Sequence, residues 1–333
     1  MSMLGVSVIG CGYLGSIHAR LWMQQPAARL VGVYDVVSER AQELARELGV
    51  TAFPTLSDAL DASDAVTVAV STSSHAEVVL AALARAKHVL IEKPVAATVA
   101  EAEDIAQAAA RAGTVVHVGH VERYNAAFVA ARRYVTRPLF IEAHRLSPFR
   151  IRGTDVSVIG DLMIHDLDLV VALVGEPALR VEAHGVAVVS DSVDIANARI
   201  EFAGGCIANL TASRLTPKPL RKLRLFQPNA YLSLDFSAPD LEVYRLVAEG
   251  EQALSSSDQA GIEVPGFGSK TILYDHPQLE PTNAIMEEHR AFVASILNGA
   301  PAVVGLADGI AALRLAQEIE QRVAERLSSL PVQ

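Results

Sequence analysis

At 333 residues, with 51% hydrophobic and 20% charged side chains, the chain has the composition of a soluble globular protein long enough for two domains of ordinary size. A formal net charge of −10 argues against general affinity for nucleic acid or anionic membrane, while leaving room for an anionic small ligand in a local pocket. Two cysteines, Cys11 and Cys206, supply neither a disulfide framework nor a metal-binding spacing, and no apolar stretch reaches the ~18 residues of a membrane span.

The N-terminus lacks the basic flank of a signal peptide, so a cytoplasmic protein is expected. The chain opens on an apolar run, Val6–Ile9, followed by Gly10-Cys11-Gly12-Tyr13-Leu14-Gly15 and a helical pattern over 16–25. This Gly-x-Gly-x-x-Gly stands in the strand–turn–helix context that gives the motif meaning. Gly10 permits the tight turn, Gly12 lets a pyrophosphate approach the backbone, and Gly15 lets the helix pack close to its strand. The free N–H groups at the start of that helix then face the phosphates, in the turn held by Tyr13 and Leu14.

A second apolar run over 30–34 ends on Asp35, 20 residues after Gly15, where a carboxylate can accept both ribose hydroxyls of an adenosine. Asp35 favours NAD over NADP, because it would repel a 2′-phosphate. Arg40 opens the helix 38–48; it either lies on an adenine face or is solvated. Strands over 65–70, 88–91 and 115–118 alternate with helices over 74–86 and 98–112, which implies a doubly wound parallel sheet. Ligands of such sheets lie beyond the carboxyl ends of the strands. Three segments share that edge: Gly10–Gly15, the stretch Ser71–His75 with Ser71, Thr72 and His75, and Glu92-Lys93-Pro94. Pro94 bars Lys93 from a helix, so the lysine projects from a strand end toward the cofactor. There it can hold a substrate hydroxyl; the plain alternative is a solvated lysine.

With these residues on the page the sequence resembles the glucose–fructose oxidoreductase / inositol dehydrogenase / MocA family of sugar dehydrogenases. The matching segments are the glycine loop, Glu92-Lys93-Pro94, Gly119-His120-Val121-Glu122-Arg123-Tyr124-Asn125 and Gly160-Asp161-Leu162-Met163-Ile164-His165-Asp166, in the family's order. Glu288-His289, Phe292, Ile296, Gly299 and Pro301 look like its closing helix. The resemblance implies an NAD-binding Rossmann domain over 1–121 and a substrate-binding, oligomerising α+β domain over 122–333 with a large, open, mostly antiparallel sheet. The last helix can pack back on the first domain.

Runs suited to that sheet are 139–146, 179–188, 197–201, 206–213, 222–226, 230–234 and 241–247, with a hairpin at Ala203-Gly204-Gly205. Residues 126–134, 284–297 and 306–327 read as helices, and 255–282, rich in Ser, Gly and Pro, as a long loop. An uncovered sheet face is a natural contact for a homodimer or homotetramer.

A helix over 160–174 buries Met163, Leu167, Val170 and Val174, while Asp161, His165 and Asp168 share another stripe. An aspartate one turn before a histidine can orient the ring and support its charge, as a general base requires. A structural histidine and a metal site at Asp161, His165 and Asp168 are the rival readings; hydride transfer to NAD needs no metal. The resemblance implies that Lys93, Asp161 and His165 form the catalytic group: His165 takes the hydroxyl proton and Lys93 stabilises the alkoxide.

Arg145, Arg150 and Arg152 cluster before this helix, either for an anionic ligand or as a solvated strand and loop. With Gly119–Asn125, this stretch is most similar to the family branch that oxidises the 3-hydroxyl of UDP-N-acetylglucosamine for 2,3-diamino sugars of the lipid A type. On that resemblance His120, Arg123, Tyr124, Asn125, Arg145 and Arg150 are substrate contacts beside Lys93, Asp161 and His165. The uronate of the same sugar nucleotide, an inositol or free sugar, and a dinucleotide-sensing regulator without turnover are the alternatives.

Overall fold

The computed structural model describes residues 3–149, 156–248, 260–263 and 270–329. Two compact units emerge, one made of Met1–Tyr124 with Asn283–Leu313 and the other of Asn125–Thr282 with Arg314–Gln333. The division is therefore not a single cut near residue 121.

In the first unit strands and helices alternate: β1 (Leu4–Ile9), α1 (Tyr13–Trp22), β2 (Ala28–Tyr34), α2 (Ser38–Leu48), β3 (Thr51–Ala52), α3 (Leu56–Asp61), β4 (Ala65–Val68), α4 (His75–Leu83), β5 (His88–Glu92), α5 (Val99–Ala112) and β6 (Val116–Gly119). The strands form one parallel sheet in the order β3-β2-β1-β4-β5-β6. Every residue of β1 and β4 is buried, as expected of strands covered on both faces. The order reverses between β1 and β4, so the loops after these two strands flank the crevice where a doubly wound sheet takes its ligand. The short β3 and α3 escaped the sequence pattern, although Thr55 caps α3 by accepting the Asp58 N–H.

The second unit holds α6 (Ala126–Ala131), β7 (Phe140–Leu146), α7 (Ile164–Val174), β8 (Ala178–Val186), β9 (Ile195–Phe202), β10 (Ile207–Ser213), β11 (Leu220–Gln227), β12 (Ala230–Asp235), β13 (Asp240–Ala248), β14 (Ala260–Glu263) and β15 (Lys270–Asp275). They build a nine-stranded sheet, β14-β15-β13-β12-β11-β7-β10-β9-β8, antiparallel except where β7 and β10 run parallel. Two helices follow: α8 (Ala284–Asn298), which belongs with the first unit, and α9 (Leu306–Ser328). The expected loop over 255–282 is thus corrected. Residues 260–263 form the edge strand and 270–275 the strand beside it, and 255–259 with 264–269 lie outside the described residues. The run Thr271-Ile272-Leu273-Tyr274 carries ordinary strand residues; the Ser, Gly and Pro around it masked them.

Alternation along β7, β11, β12 and β13 turns Ile141, Leu223, Leu232 and Val243 inward. On the outward face Phe140, Phe226, Tyr231, Tyr244 and Tyr274 form a row of rings with neighbouring centroids 4.8 to 5.9 Å apart. No helix among the described residues is long and apolar enough to cross a membrane.

Candidate active site

Gly10 leaves β1 with φ +97°, and a Cβ there would stand 2.5 Å from the Ala69 carbonyl oxygen. Only glycine suits that combination of backbone and space. A Cβ on Gly15 would overlap the Gly10 carbonyl oxygen, so α1 starts pressed against the loop that feeds it. At Gly12 the same construction meets nothing within 4 Å. The backbone is thus bare toward the side where α1 begins, as a pyrophosphate needs. The Tyr13 and Leu14 side chains in that first turn are exposed.

Asp35 is fixed from both sides: one carboxylate oxygen accepts the Cys11 N–H at 2.7 Å and the other the Val37 N–H at 2.8 Å. Each oxygen keeps a lone pair for a ribose hydroxyl. A cavity of about 350 Å³ brings Gly10, Gly12, Asp35, Arg40 and Ser71 together, with Tyr34 and Val70 among its walls. Arg40 is thus part of the wall of the same cavity as Asp35. These residues fit a dinucleotide. Burial, then the Asp35 charge, pushes the Cys11 thiol up to about 12, so Cys11 fills space in the loop and is no nucleophile.

Thr72 sits half-buried in a single 3-10 turn after β4. His75 does not line the cavity. It is buried, with Nδ1 2.8 Å from the Pro94 carbonyl oxygen and Nε2 3.2 Å from that of Val70. It ties α4 to the Lys93-Pro94 turn, and burial lowers its pKa.

Lys93 follows β5, joined to Pro94 by a cis peptide bond. Its N–H donates to Glu92 Oε2 at 3.2 Å, and Glu92 Oε1 lies 2.8 Å from His18 Nε2. Behind it, His18 Nδ1 lies 2.8 Å from His289 Nε2, and the His289 ring stacks on Trp22 at 3.8 Å between centroids and 7° between planes. Glu288, beside His289 on α8, is buried; burial and the Glu92 charge hold its carboxyl well above the usual range. His117 on β6 meets Ser295 Oγ at 3.0 Å, and burial pushes its imidazole down to about 4. Sequence reasoning assigned none of His18, His117, Glu288 and His289 a role. The one available signal was that His18, Glu288 and His289 occupy the helices the family pattern singles out.

These buried groups set the acid stability of the first unit. Between pH 6.5 and about 4 the unfolded chain takes up a proton at His117 that the folded chain refuses, so stability falls as pH falls through that window. The full effect is about 3 kcal/mol, and His117→Gln should remove it. Glu288 has the opposite sign: its folded pKa is raised, so its contribution falls as pH rises above the ordinary carboxyl value. Thermal melts of the wild type and His117→Gln across this range check the prediction; parallel curves would refute it.

In the second unit a π turn, Ile159–Met163, runs into α7. Asp161 lies in the π turn and His165 in the first turn of α7. Both are half-buried, whereas Asp168 is buried. Among the described residues no group of three His, Cys, Asp or Glu is arranged to hold a metal ion.

The expected substrate contacts fare differently. Arg145, on β7, is 3% exposed and grips Asp166 of α7, with Nε 3.1 Å from both carboxylate oxygens and Nη2 2.8 Å from one. Its charge is met inside the unit by that carboxylate. Asn125 caps α6, accepting the Ala127 N–H at 3.1 Å and donating to the Phe236 carbonyl at 3.2 Å. Arg123 pairs with Asp308 at 3.3 Å, and His120 and Tyr124 are buried. Arg150 lies outside the described residues.

Residues 4–120 match the oxidoreductase family with the NAD-binding Rossmann fold, and 106–229 match the GFO/IDH/MocA C-terminal domain. UDP-N-acetylglucosamine 3-dehydrogenase of Acidithiobacillus ferrooxidans is 35% identical over 319 residues, 95% of this chain and 96% of that one. The chain belongs to the GFO/IDH/MocA oxidoreductase family. A solved structure of that Acidithiobacillus enzyme superposes with a TM-score of 0.88 at 34% identity, covering 98% of this chain and 99% of the other. The NAD-dependent scyllo-inositol 2-dehydrogenase of Bacillus subtilis is 28% identical over 63% of this chain and 67% of its own. As a family member the protein is an NAD-dependent oxidoreductase, and the cavity at Asp35 belongs to its nucleotide-binding half.

Proposed function

We propose that this oxidoreductase removes hydride from the 3-hydroxyl of UDP-N-acetylglucosamine, giving a 3-keto sugar nucleotide for a downstream aminotransferase, as in lipid A-type 2,3-diamino sugar synthesis in the cytoplasm. The observation that carries this reading is the identity to the Acidithiobacillus enzyme along nearly the whole of both chains. NAD, when bound, supplies the hydride acceptor. His165 takes the proton of the reacting hydroxyl, Asp161 orients the imidazole and supports its charge, and the Lys93 ammonium stabilises the developing alkoxide. The outward sheet face, with its row of rings, is the proposed contact of a homodimer or homotetramer.

The test is incubation with NAD and a panel holding UDP-N-acetylglucosamine, its uronate, inositols and hexoses. A 2-oxo acid and an aminotransferase are included to draw off an unfavourable equilibrium. NADH-linked turnover of UDP-N-acetylglucosamine is expected. Turnover of a free polyol alone would overturn the substrate, and no turnover of any panel member beside tight NAD binding would favour a sensor.

A further inference from the structure

We propose that His18 of α1 and His289 of α8 are positioning residues for Lys93, acting through Glu92: they clamp its carboxylate as the fixed counterion of the lysine. The inference rests on the reading that Lys93 meets the reacting hydroxyl. Both Glu92 oxygens are engaged, one by His18 Nε2 at 2.8 Å and one by the Lys93 N–H at 3.2 Å. The carboxylate therefore cannot turn without breaking a contact. His18 in turn has its second nitrogen 2.8 Å from His289, whose ring is held flat against Trp22. Trp22 is pinned as well, its Nε1–H donating to Thr67 Oγ1 at 2.9 Å. A Cβ on Gly119 would stand 3.1 Å from Glu92 Oε2, so β6 leaves only a glycine's room beside the carboxylate.

The titratable groups around Glu92 are His18 from α1, His75 from α4, Glu288 from α8 and Lys93 beside it. His289 stands behind His18. Burial and the Glu92 charge both push the Glu288 carboxyl well above its usual range, toward the neutral form. Burial also opposes charge on Glu92, but the His18 hydrogen bond and the Lys93 ammonium outweigh it and lower the Glu92 pKa. Of the two carboxyls, the one that precedes Lys93 is therefore the one that favours the negative charge. An apolar core would pack α8 on α1 at least as well. A polar chain across two helices that ends at the residue before Lys93 is explained by what it does to that residue.

The experiment uses the full chain without substrate. The rate of Lys93 acetylation by acetic anhydride is followed against pH by peptide mass spectrometry in wild type, Glu92→Gln, His18→Leu and His18→Gln. Only the free amine reacts, so the midpoint reports the ammonium form. Glu92→Gln and His18→Leu should move the midpoint down by about one pH unit, making acetylation about tenfold faster at a fixed pH below it. His18→Gln, which can still donate to Glu92, should restore the wild-type curve. An unmoved midpoint in Glu92→Gln would overturn the proposal, and this near-isosteric variant carries the test if His18→Leu fails to fold. Turnover of Lys93→Met is read separately. Full activity there would reject the role of Lys93 in the chemistry, whatever the acetylation curves show.

Discussion

His165→Asn is expected to lower kcat for the sugar nucleotide by about two to four orders of magnitude, the range for loss of a general base. NAD affinity should stay within about twofold, because the groups that fit the dinucleotide, Gly12, Asp35 and Arg40, all lie in the first unit. His165 sits half-buried on α7, one turn beyond Asp161, and asparagine keeps its polarity and much of its volume while abolishing its basicity. Asp161→Asn should cost less, since it weakens orientation and charge support but spares the base. Lys93→Met should fall into the same range as His165→Asn. The double variant should be scarcely worse than either, because groups that act as a unit are lost together. Steady-state kinetics with NAD titrations followed by fluorescence distinguish these outcomes. Wild-type kcat in either single variant removes that residue from the mechanism.

What could be read in the chain followed sequence distance. The glycine loop, Asp35 and the strand–helix alternation are local patterns, and every strand expected of the parallel sheet is present, with the two-residue β3 added at its edge. Strand β15 was missed because its apolar run lies inside a window dominated by turn formers. That Asp161 and His165 stand one turn apart in a helical stretch was legible because four residues make about one turn. The Glu92–His18–His289 chain was not, since its links span 74 and 271 positions. Nothing in a single sequence says that the start of α1, the end of β5 and the middle of α8 converge. The partner of Arg145 was hidden for a related reason. A cationic cluster can be seen in sequence, but not the carboxylate 21 residues away that takes up its charge.

The Arg145–Asp166 pair has a measurable consequence. Arg145→Met is expected to destabilise the second unit by about 3–5 kcal/mol, the cost of leaving one member of a buried ion pair alone. Asp166 is 3% exposed, as is Arg145, and water cannot replace the guanidinium without opening the β7–α7 packing. Asp166→Leu should cost a comparable amount. Arg145→Met/Asp166→Leu should recover most of the loss, because an apolar pair of similar volume removes both desolvation penalties. Urea unfolding of the four proteins closes the cycle. Asp166 adjoins His165 on α7, so the single variants should also lower kcat as that helix loses its tie to the sheet. Were Arg145 a contact for the substrate diphosphate, its loss would instead raise KM and leave the unfolding midpoint where it was. That pattern would return the guanidinium to the binding site and leave Asp166 without the partner the structure gives it.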